Sequence, residues 1–218
     1  RYSGVDDISV GTPIAGRGQI ETQGLVGFFV NTLVLRTKLD GEPSFREVLQ
    51  RVREVALGAY AHQEIPFEKL VEELQPQREL SYAPLFQVML VLQNTPEKLQ
   101  LPGLTMSRLK IGSGTSKFDL LMSFEESAKG LAGMLEYSTD LFDEATMRRF
   151  IGHYETLLEG IVANPDQCIS TFPLLTAQEE QEQLIEWNCN PAEYPRELCI
   201  TEWFEQQVKR TPHHIAAI

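Results

Sequence analysis

The sequence predicts an α/β fold in which helices flank a mixed β-sheet. Apolar runs typical of strands are interspersed along the chain with segments whose apolar residues recur at helical spacing, which indicates a layered domain. The 218 residues suffice for one large domain or two small ones. A composition of 42% hydrophobic and 23% charged residues is that of an ordinary globular protein.

Two early segments predict strands. Residues 7–14 have strand character and run into a Gly-Arg-Gly loop. Residues 28–39, within GFFVNTLVLR and its continuation, are apolar on both faces, which predicts a central strand covered on both sides. Asn31 stands inside this run, and a buried amide costs free energy unless its hydrogen bonds are satisfied. Either a neighbouring segment satisfies Asn31, or the amide points into a cavity.

Capping residues predict where the helices begin. Ser44 and Glu47 have the spacing of a capping box before a run of apolar residues at helical spacing. The run IPFEKLVEEL predicts a short helix with Pro66 in its first turn. Asp143 is the predicted N-cap of a long helix that ends at Asn164.

Four more runs predict strands in the middle of the chain. LFQVMLVLQ is a continuous apolar strand pattern. The runs LTMSRLKI, KFDLLMSFEE and GLAGMLEYS follow, separated by turn-forming residues, and predict an antiparallel meander.

The last part of the chain has a different composition. Thr176 and Glu179 form another predicted capping box in an acidic, glutamine-rich stretch, and residues 177–198 are interpreted as a helix-containing linker. Thr201 starts a last amphipathic helix that ends at Pro212, and HIAAI is expected to begin a new strand. Both ends of the sequence are expected to be cuts from a longer polypeptide.

Charge and cysteine content exclude several classes of function. The formal net charge of −12 argues against nucleic-acid binding, which needs clustered Lys and Arg. No apolar run is long enough for a membrane helix, and no signal segment is present. Cys168, Cys189 and Cys199 are scattered, which argues against disulfides or a zinc site and favours a reducing cytoplasm. We therefore expect a cytoplasmic protein without a metal.

Catalytic motifs are scarce. The expected position of His62 is a helix cap or packed loop, and that of His153 is a helix surface or core edge. His213 and His214 are expected in a solvated turn. Neither a nucleophile elbow nor a phosphate-binding glycine loop occurs, so the residues alone predict no complete active site.

Four motifs in order resemble the condensation domains of nonribosomal peptide synthetases. SVGTPIAGR followed by LVGFFVNTLVLR is similar to one core motif of that family, and HQEIPFEKLVEEL is similar to the next. RELSYAPLFQVMLVLQN resembles the motif after these, while SKFDLLMSFEE and LEYSTDLFDEATMRRFIGHYETLL fit later strands and the last long helix. The resemblance implies a two-lobed chloramphenicol-acetyltransferase-like fold.

The resemblance also implies three segments. Residues 1–175 correspond to the C-terminal lobe, residues 176–198 to the linker, and residues 199–218 to the start of an adenylation domain. The family's His-His-x-x-x-Asp-Gly motif, which lies in its N-terminal lobe, is absent, so no catalytic residue is assigned in this chain.

The family joins a carrier-bound donor acyl or peptidyl thioester to the amine of a carrier-bound aminoacyl thioester. By resemblance, the partners are the N-terminal lobe, peptidyl carrier domains and the downstream adenylation domain. No cofactor is expected to bind directly, because the substrates are carried on phosphopantetheine. Residues 18–24 correspond to the floor loop and residues 95–117 hold the latch, and both cross toward the other lobe.

Four residues are candidates for lining the tunnel between the lobes. Asn31 would orient a substrate or partner side chain, or else tie its strand to an adjacent loop. Arg17 would form a salt bridge across the lobe interface, or else remain a solvated loop residue. Ser116 and Asp119 would line the acceptor side, with a strand-end hydrogen-bond acceptor as the alternative for Asp119.

Two further functions stay open at this point. The chain could be a docking platform for carrier and adenylation domains that does no chemistry alone. It could also be a lobe of an epimerising or cyclising relative, which shares the scaffold.

Overall fold

The structure is a computed structural model that describes residues 2–76, 83–93, 103, 114–127, 130–189 and 199–215. Two compact units are present, residues 1–174 and residues 175–218. The LTMSRLKI run and residues 216–218, where we predicted strands, lie outside the described residues, as do most of the latch and residues 190–198 of the linker.

The first unit is built on a five-stranded mixed sheet in the order β2-β1-β3-β4-β5. The outer pairs β1–β2 and β4–β5 are antiparallel, whereas β1–β3 and β3–β4 are parallel. This sheet confirms the predicted α/β class. The strands are β1 Asp7–Ile14, β2 Asn31–Lys38, β3 Val88–Gln93, β4 Leu120–Ser127 and β5 Gly130–Tyr137.

Helices connect and cover these strands. Ser44 and Glu47 form the predicted capping box at the start of α2, where the Ser44 amide donates to Glu47 Oε2 at 2.7 Å. Asp143 accepts the predicted capping hydrogen bond from the Thr146 amide at 2.6 Å and begins α4. The helices of this unit are α1 Ile20–Gln23, α2 Phe45–Ala61, α3 Phe67–Leu74 and α4 Glu144–Ala163, and Ile169–Thr171 forms a 3-10 turn.

The core lies between the sheet and its covering helices. Tyr154 of α4 stacks on Phe124 of β4 with 6.1 Å between ring centroids, which places α4 on the sheet. The buried apolar side chains come from strands, helix and loops alike, because each layer contributes one face to the interior. They are Leu33, Phe86, Met89, Met147 and Phe172.

Two predicted strands differ from the structure in extent and position. The strand that begins at residue 28 in our prediction begins at Asn31, and Phe28 is 91% exposed. Within the described sheet β2 is an edge strand, so the prediction of a central strand was wrong. The third strand begins at Val88, after Leu85 adopts a left-handed φ of 71° that interrupts the extended backbone.

The second unit contains short helical segments. Thr176 and Glu179 form the predicted capping box of α5, Ala177–Gln181, which continues as a π-helical turn, Glu182–Glu186. The last helix, α6, spans Ile200–Arg210 and begins one residue before the predicted start. Among the described residues of the chain, no helix combines the length and apolar character that crossing a membrane requires.

Candidate functional site

A cleft of about 490 Å³ brings together segments that are distant in sequence. It lies between the loops on either side of α1, the start of β2, and the turn from α2 into α3. Two of the motifs that carry the resemblance, the first of them in two stretches, therefore meet at one place. The lining residues are Gly16, Gly18, Gln19, Thr22, Phe28, Phe29, Val30, Asn31, Thr32, Gln63, Glu64, Pro66, Phe67 and Glu68.

Asn31 borders this cleft, and its amide makes four hydrogen bonds. Its Nδ2 donates to the carbonyls of Gln63 at 2.9 Å and Ile65 at 2.8 Å. Its Oδ1 accepts from the amides of Thr32 at 2.9 Å and Phe67 at 3.1 Å. Both amide protons and both oxygen lone pairs are used, so the hydrogen-bonding capacity of the Asn31 side chain is fully satisfied within the apolar strand. The side chain joins the start of β2 to the turn that leads into α3.

Arg17 stands at the end of the loop after β1 and organises the next loop. Its guanidinium donates to the carbonyl of Thr22 at 2.6 Å and that of Leu25 at 2.7 Å, with longer bonds at 3.4 Å to Gln23 and Gly27. Because these carbonyls all accept hydrogen bonds from one planar guanidinium group, the loop backbone is held in a single conformation.

The same guanidinium also contacts an aromatic ring. The guanidinium carbon lies 4.4 Å from the centroid of Phe29, a cation–π geometry. Within this chain Arg17 is therefore not a freely solvated loop side chain, which was one of the two alternatives that the sequence left open. A bond from Arg17 to another lobe stays a prediction.

Gly16 is a site residue that sequence reasoning treated only as part of a loop. Its φ of +63° lies in the left-handed region, and an added Cβ would lie 1.9 Å from the Phe29 carbonyl oxygen. Only glycine lets the two loops approach this closely. The glycine itself was the available clue, but its partner in space could not be known from the sequence.

The loop that Arg17 holds is rich in apolar side chains that face solvent. We call residues 20–30, which include the short helix α1, the exposed loop. Phe28 is 91% exposed although it belongs to the motif LVGFFVNTLVLR. Contiguous exposed apolar patches are typical of surfaces that bind a protein, a membrane or a ligand. The exposed apolar residues of the loop are Ile20, Leu25, Val26, Phe28 and Val30.

Ser116 and Asp119 are not part of the cleft. The Ser116 hydroxyl donates to the Phe118 carbonyl, and the Asp119 carbonyl accepts from the Ser138 amide at 3.0 Å. Their segment precedes β4, whose first residue is Leu120. The structure therefore places Asn31 in the cleft lining, Arg17 between the lining residues Gly16 and Gly18, and Ser116 and Asp119 elsewhere in the same unit.

Aromatic rings connect the two locations. Phe67, which lines the cleft, meets Phe86 edge to face with 5.8 Å between ring centroids. Phe86 in turn stacks on Phe118 at 5.5 Å. The sequence assigned Phe67 and Phe86 to the core, and Phe86 is only 2% exposed.

Several carboxylates with shifted pKa values lie at helix caps and in ion pairs. Two hydrogen bonds from Arg36 to the Asp7 carboxylate lower the pKa of Asp7. Hydrogen bonds from the Ser44 amide and hydroxyl lower the pKa of Glu47, and the Thr146 amide lowers that of Asp143. These carboxylates stabilise local structure and lie outside the cleft lining.

The histidines lie at ordinary structural positions. His62 follows the last residue of α2 as its C-cap, and His153 lies on α4, where its Nδ1 contacts the Tyr2 hydroxyl. His213 and His214 fall in the turn after α6. Within the described ranges, no three His, Cys, Asp or Glu residues are grouped so that they could hold a metal ion.

Comparison with known proteins adds three findings. The family model of the condensation domain matches residues 1–185. A linear gramicidin synthase from Brevibacillus parabrevis is 52% identical over 221 residues, which cover 100% of this chain and 4% of that protein. Gramicidin S synthase 2 of Brevibacillus brevis is 42% identical, over 99% of this chain and 5% of that protein. The chain therefore spans a small part of the curated relatives that it matches.

Solved structures agree with the fold. The X-domain from teicoplanin biosynthesis matches with a TM-score of 0.72 and 30% identity, over 80% of this chain and 41% of that one. A four-domain nonribosomal peptide synthetase bound to AMP and glycine matches with a TM-score of 0.78 over 97% of this chain and 17% of that one. At 21% identity, this second likeness concerns the fold alone.

Proposed function

The chain belongs to the condensation-domain family of nonribosomal peptide synthetases, and on that premise we propose that it is the C-terminal lobe of an amide-forming acyltransferase. The complete domain would join a donor acyl or peptidyl thioester to the amine of an acceptor aminoacyl thioester. Both substrates would arrive on the phosphopantetheine arms of carrier domains. The lobe would supply the acceptor side, the floor loop and the latch.

The exposed loop carries this proposal. Arg17 fixes the backbone of the loop through carbonyls while Phe28 and Val26 remain in water. A loop whose backbone is already ordered loses little conformational entropy when another lobe docks on it. Together with its exposed apolar side chains, this suits a surface that a second lobe covers. The N-terminal lobe of the same condensation domain is the partner that we assign to it.

Chemistry in the complete domain would depend mainly on placement. Holding amine and thioester in line lowers the entropic part of the barrier, and polar groups stabilise the charge that develops at the tetrahedral centre. The catalytic or positioning histidine belongs to the His-His-x-x-x-Asp-Gly motif, which this sequence lacks. We therefore expect this lobe to be inactive alone.

The C-terminal part would connect the lobe to the next domain. We propose that residues 176–198 are the linker and residues 199–218 the start of an adenylation domain. The capped α5 and the amphipathic α6 support this assignment. We propose a cytoplasmic location, for which the three free cysteines Cys168, Cys189 and Cys199 are suited.

The decisive experiment is a reconstitution. Donor and acceptor aminoacyl groups would be loaded on carrier domains, and the amide product followed by mass spectrometry with this chain, with a separately expressed upstream lobe, and with both. We expect product only when both are present. Product from this chain alone would overturn the division of labour, and carrier binding without any product would favour the docking platform.

A second measurement tests the exposed loop directly. A hydrophobic dye should bind the chain, and Phe28→Ser should reduce that binding more than Leu141→Ser, which changes a leucine that is 59% exposed elsewhere. Addition of the upstream lobe should displace the dye. A monomeric chain that binds no dye would contradict the proposal.

A further inference from the structure

We propose that Asn31 and the rings of Phe67, Phe86 and Phe118 form one brace that sets the position of residues 116–119 relative to the cleft. We call the three rings the aromatic relay. Within the proposed function, on which this inference rests for its consequence, Phe86 is then a positioning residue for the acceptor side. The brace itself follows from contacts in this chain.

The first link is the bond from Asn31 to the start of α3. Asn31 Oδ1 accepts from the Phe67 amide at 3.1 Å while its Nδ2 holds the carbonyls of Gln63 and Ile65. These bonds surround Pro66, the N-cap of α3, which has no side-chain cap of its own. Phe67 is the first residue of α3, so the bond from its amide to Asn31 fixes the backbone from which its ring projects.

The second link is the seat of Phe86 on the sheet. Gly11 of β1 pairs with Val34 of β2 and Met89 of β3, so it lies at the centre of the three strands. A Cβ added at Gly11 would lie 2.2 Å from the Phe86 ring, which shows how closely the ring rests on the backbone. The strands beneath therefore prevent the ring from moving inward.

The third link runs from Phe86 to the candidate acceptor-side residues. The rings of Phe86 and Phe118 stack at 5.5 Å, and the Ser116 hydroxyl donates to the Phe118 carbonyl. Asp119 follows directly and its carbonyl accepts from Ser138, the residue after β5. A shift of Phe118 that rotation of its side chain does not absorb therefore moves the backbone that carries both Ser116 and Asp119.

Close packing makes this chain of contacts a positioning device. Phe86 is 2% exposed and lies between the other two rings, so a displacement of Phe67 away from the cleft and toward Phe86 meets no free volume there. The shift is passed on to Phe118. The position of the segment before β4 is thereby fixed relative to the cleft.

The brace can be tested on this chain without any activity. Asn31→Asp keeps the shape and the acceptor for the Phe67 amide but removes the two donated bonds. Backbone amide chemical shifts should change at residues 63–67 and also at residues 116–119. Changes confined to residues 63–67 would overturn the brace.

Phe118→Leu tests the same path from its other end, and should change the amide shifts at residues 63–67. Met147→Ala is the matched control, because Met147 is 4% exposed and lies on α4, outside the relay. It should lower the melting temperature without moving residues 116–119. Equal shifts there in the control and in Asn31→Asp would assign the effect to general loosening of the core.

The functional consequence is tested with the upstream lobe present. Phe86→Leu should raise KM for the acceptor about fivefold and leave KM for the donor within about twofold, since only acceptor placement changes. An equal rise in both constants, or the same pattern in Met147→Ala, would remove Phe86 from the positioning role. Absence of product from the unmodified chain together with the upstream lobe would refute the proposed function, while the amide shifts would still decide the brace.

Discussion

Gly11 supports the ring of Phe86 with no room for a side chain between them, since a Cβ there would lie 2.2 Å from the ring. Phe86 is among the most buried side chains of the described residues, at 2% exposure. The glycine on β1 is therefore a packing requirement of the neighbouring loop, and its effect can be measured.

Gly11→Ala should lower the free energy of unfolding by about 1–3 kcal/mol, because overpacking forces the ring or the strand to move. Gly58→Ala is the matched control, since Gly58 lies in α2 with open space where its Cβ would be. That change should raise the free energy of unfolding by about 0.5–1 kcal/mol through helix propensity. Urea unfolding measures both, and equal effects of the two changes would contradict the close contact.

Asn31→Ala should lower the free energy of unfolding by about 1–3 kcal/mol, because part-buried backbone groups of residues 32, 63 and 67 lose their partners. In the complete domain we also expect it to slow condensation more than the loss of stability explains. Turnover and melting temperature of the same variant separate the two effects. Unchanged turnover with a lowered melting temperature would assign Asn31 to strand tethering alone.

Arg17→Lys should loosen the exposed loop while leaving the sheet intact. A lysine ammonium cannot match the planar fork that reaches the carbonyls of Thr22 and Leu25. Amide hydrogen exchange should accelerate at residues 22–29 and stay the same in β1. Arg53→Lys, a change at an exposed arginine of α2, is the control; equal exchange in the two variants would show that Arg17 does not order the loop.

The Asp143 cap predicts a dependence of stability on pH. Hydrogen bonds from the amide and the side chain of Thr146 lower the pKa of Asp143 in the folded chain below its ordinary value of 3.8. Asp143 therefore contributes stability above that ordinary value, and the contribution is lost as the pH falls through the lowered folded value. Asp143→Asn should flatten the acid side of the stability curve.

The control for this prediction is Asp140→Asn, which removes an exposed carboxylate in the turn before the helix cap. Thermal unfolding would be followed from neutral pH into the acid range for both variants. A stability curve of Asp143→Asn that keeps the full acid dependence of the unmodified chain would show that the cap does not cause it.

Local features were predictable from the sequence. The capping boxes at Ser44 and Thr176 depend on residues three positions apart, so their spacing alone indicates the helix start. The cap at Asp143 is equally local. The fold class also followed, because periodicity reports which faces are buried.

Long-range features were not predictable in the same way. The position of β2 at the edge depends on which strands pair, and the apolar residues before it belong to a loop instead of a strand. The partners of Arg17 are backbone carbonyls, which no side-chain pattern reveals. For Asn31 the sequence posed the question of its partners, and only the approach of the α2–α3 turn identified them.

The edge position of β2 has a consequence for self-association. Within the described sheet β2 is an edge strand, and such a strand offers backbone groups with which a strand of another molecule can pair. Here the Thr32 amide bonds to Asn31 Oδ1 at one end of β2, and the Lys38 carbonyl accepts from Arg51 Nη1 at 2.9 Å at the other. One backbone group at each end of β2 is therefore already hydrogen-bonded within the chain, and Asn31, beside the cleft, makes one of these two bonds; fewer edge groups remain for a strand of another molecule.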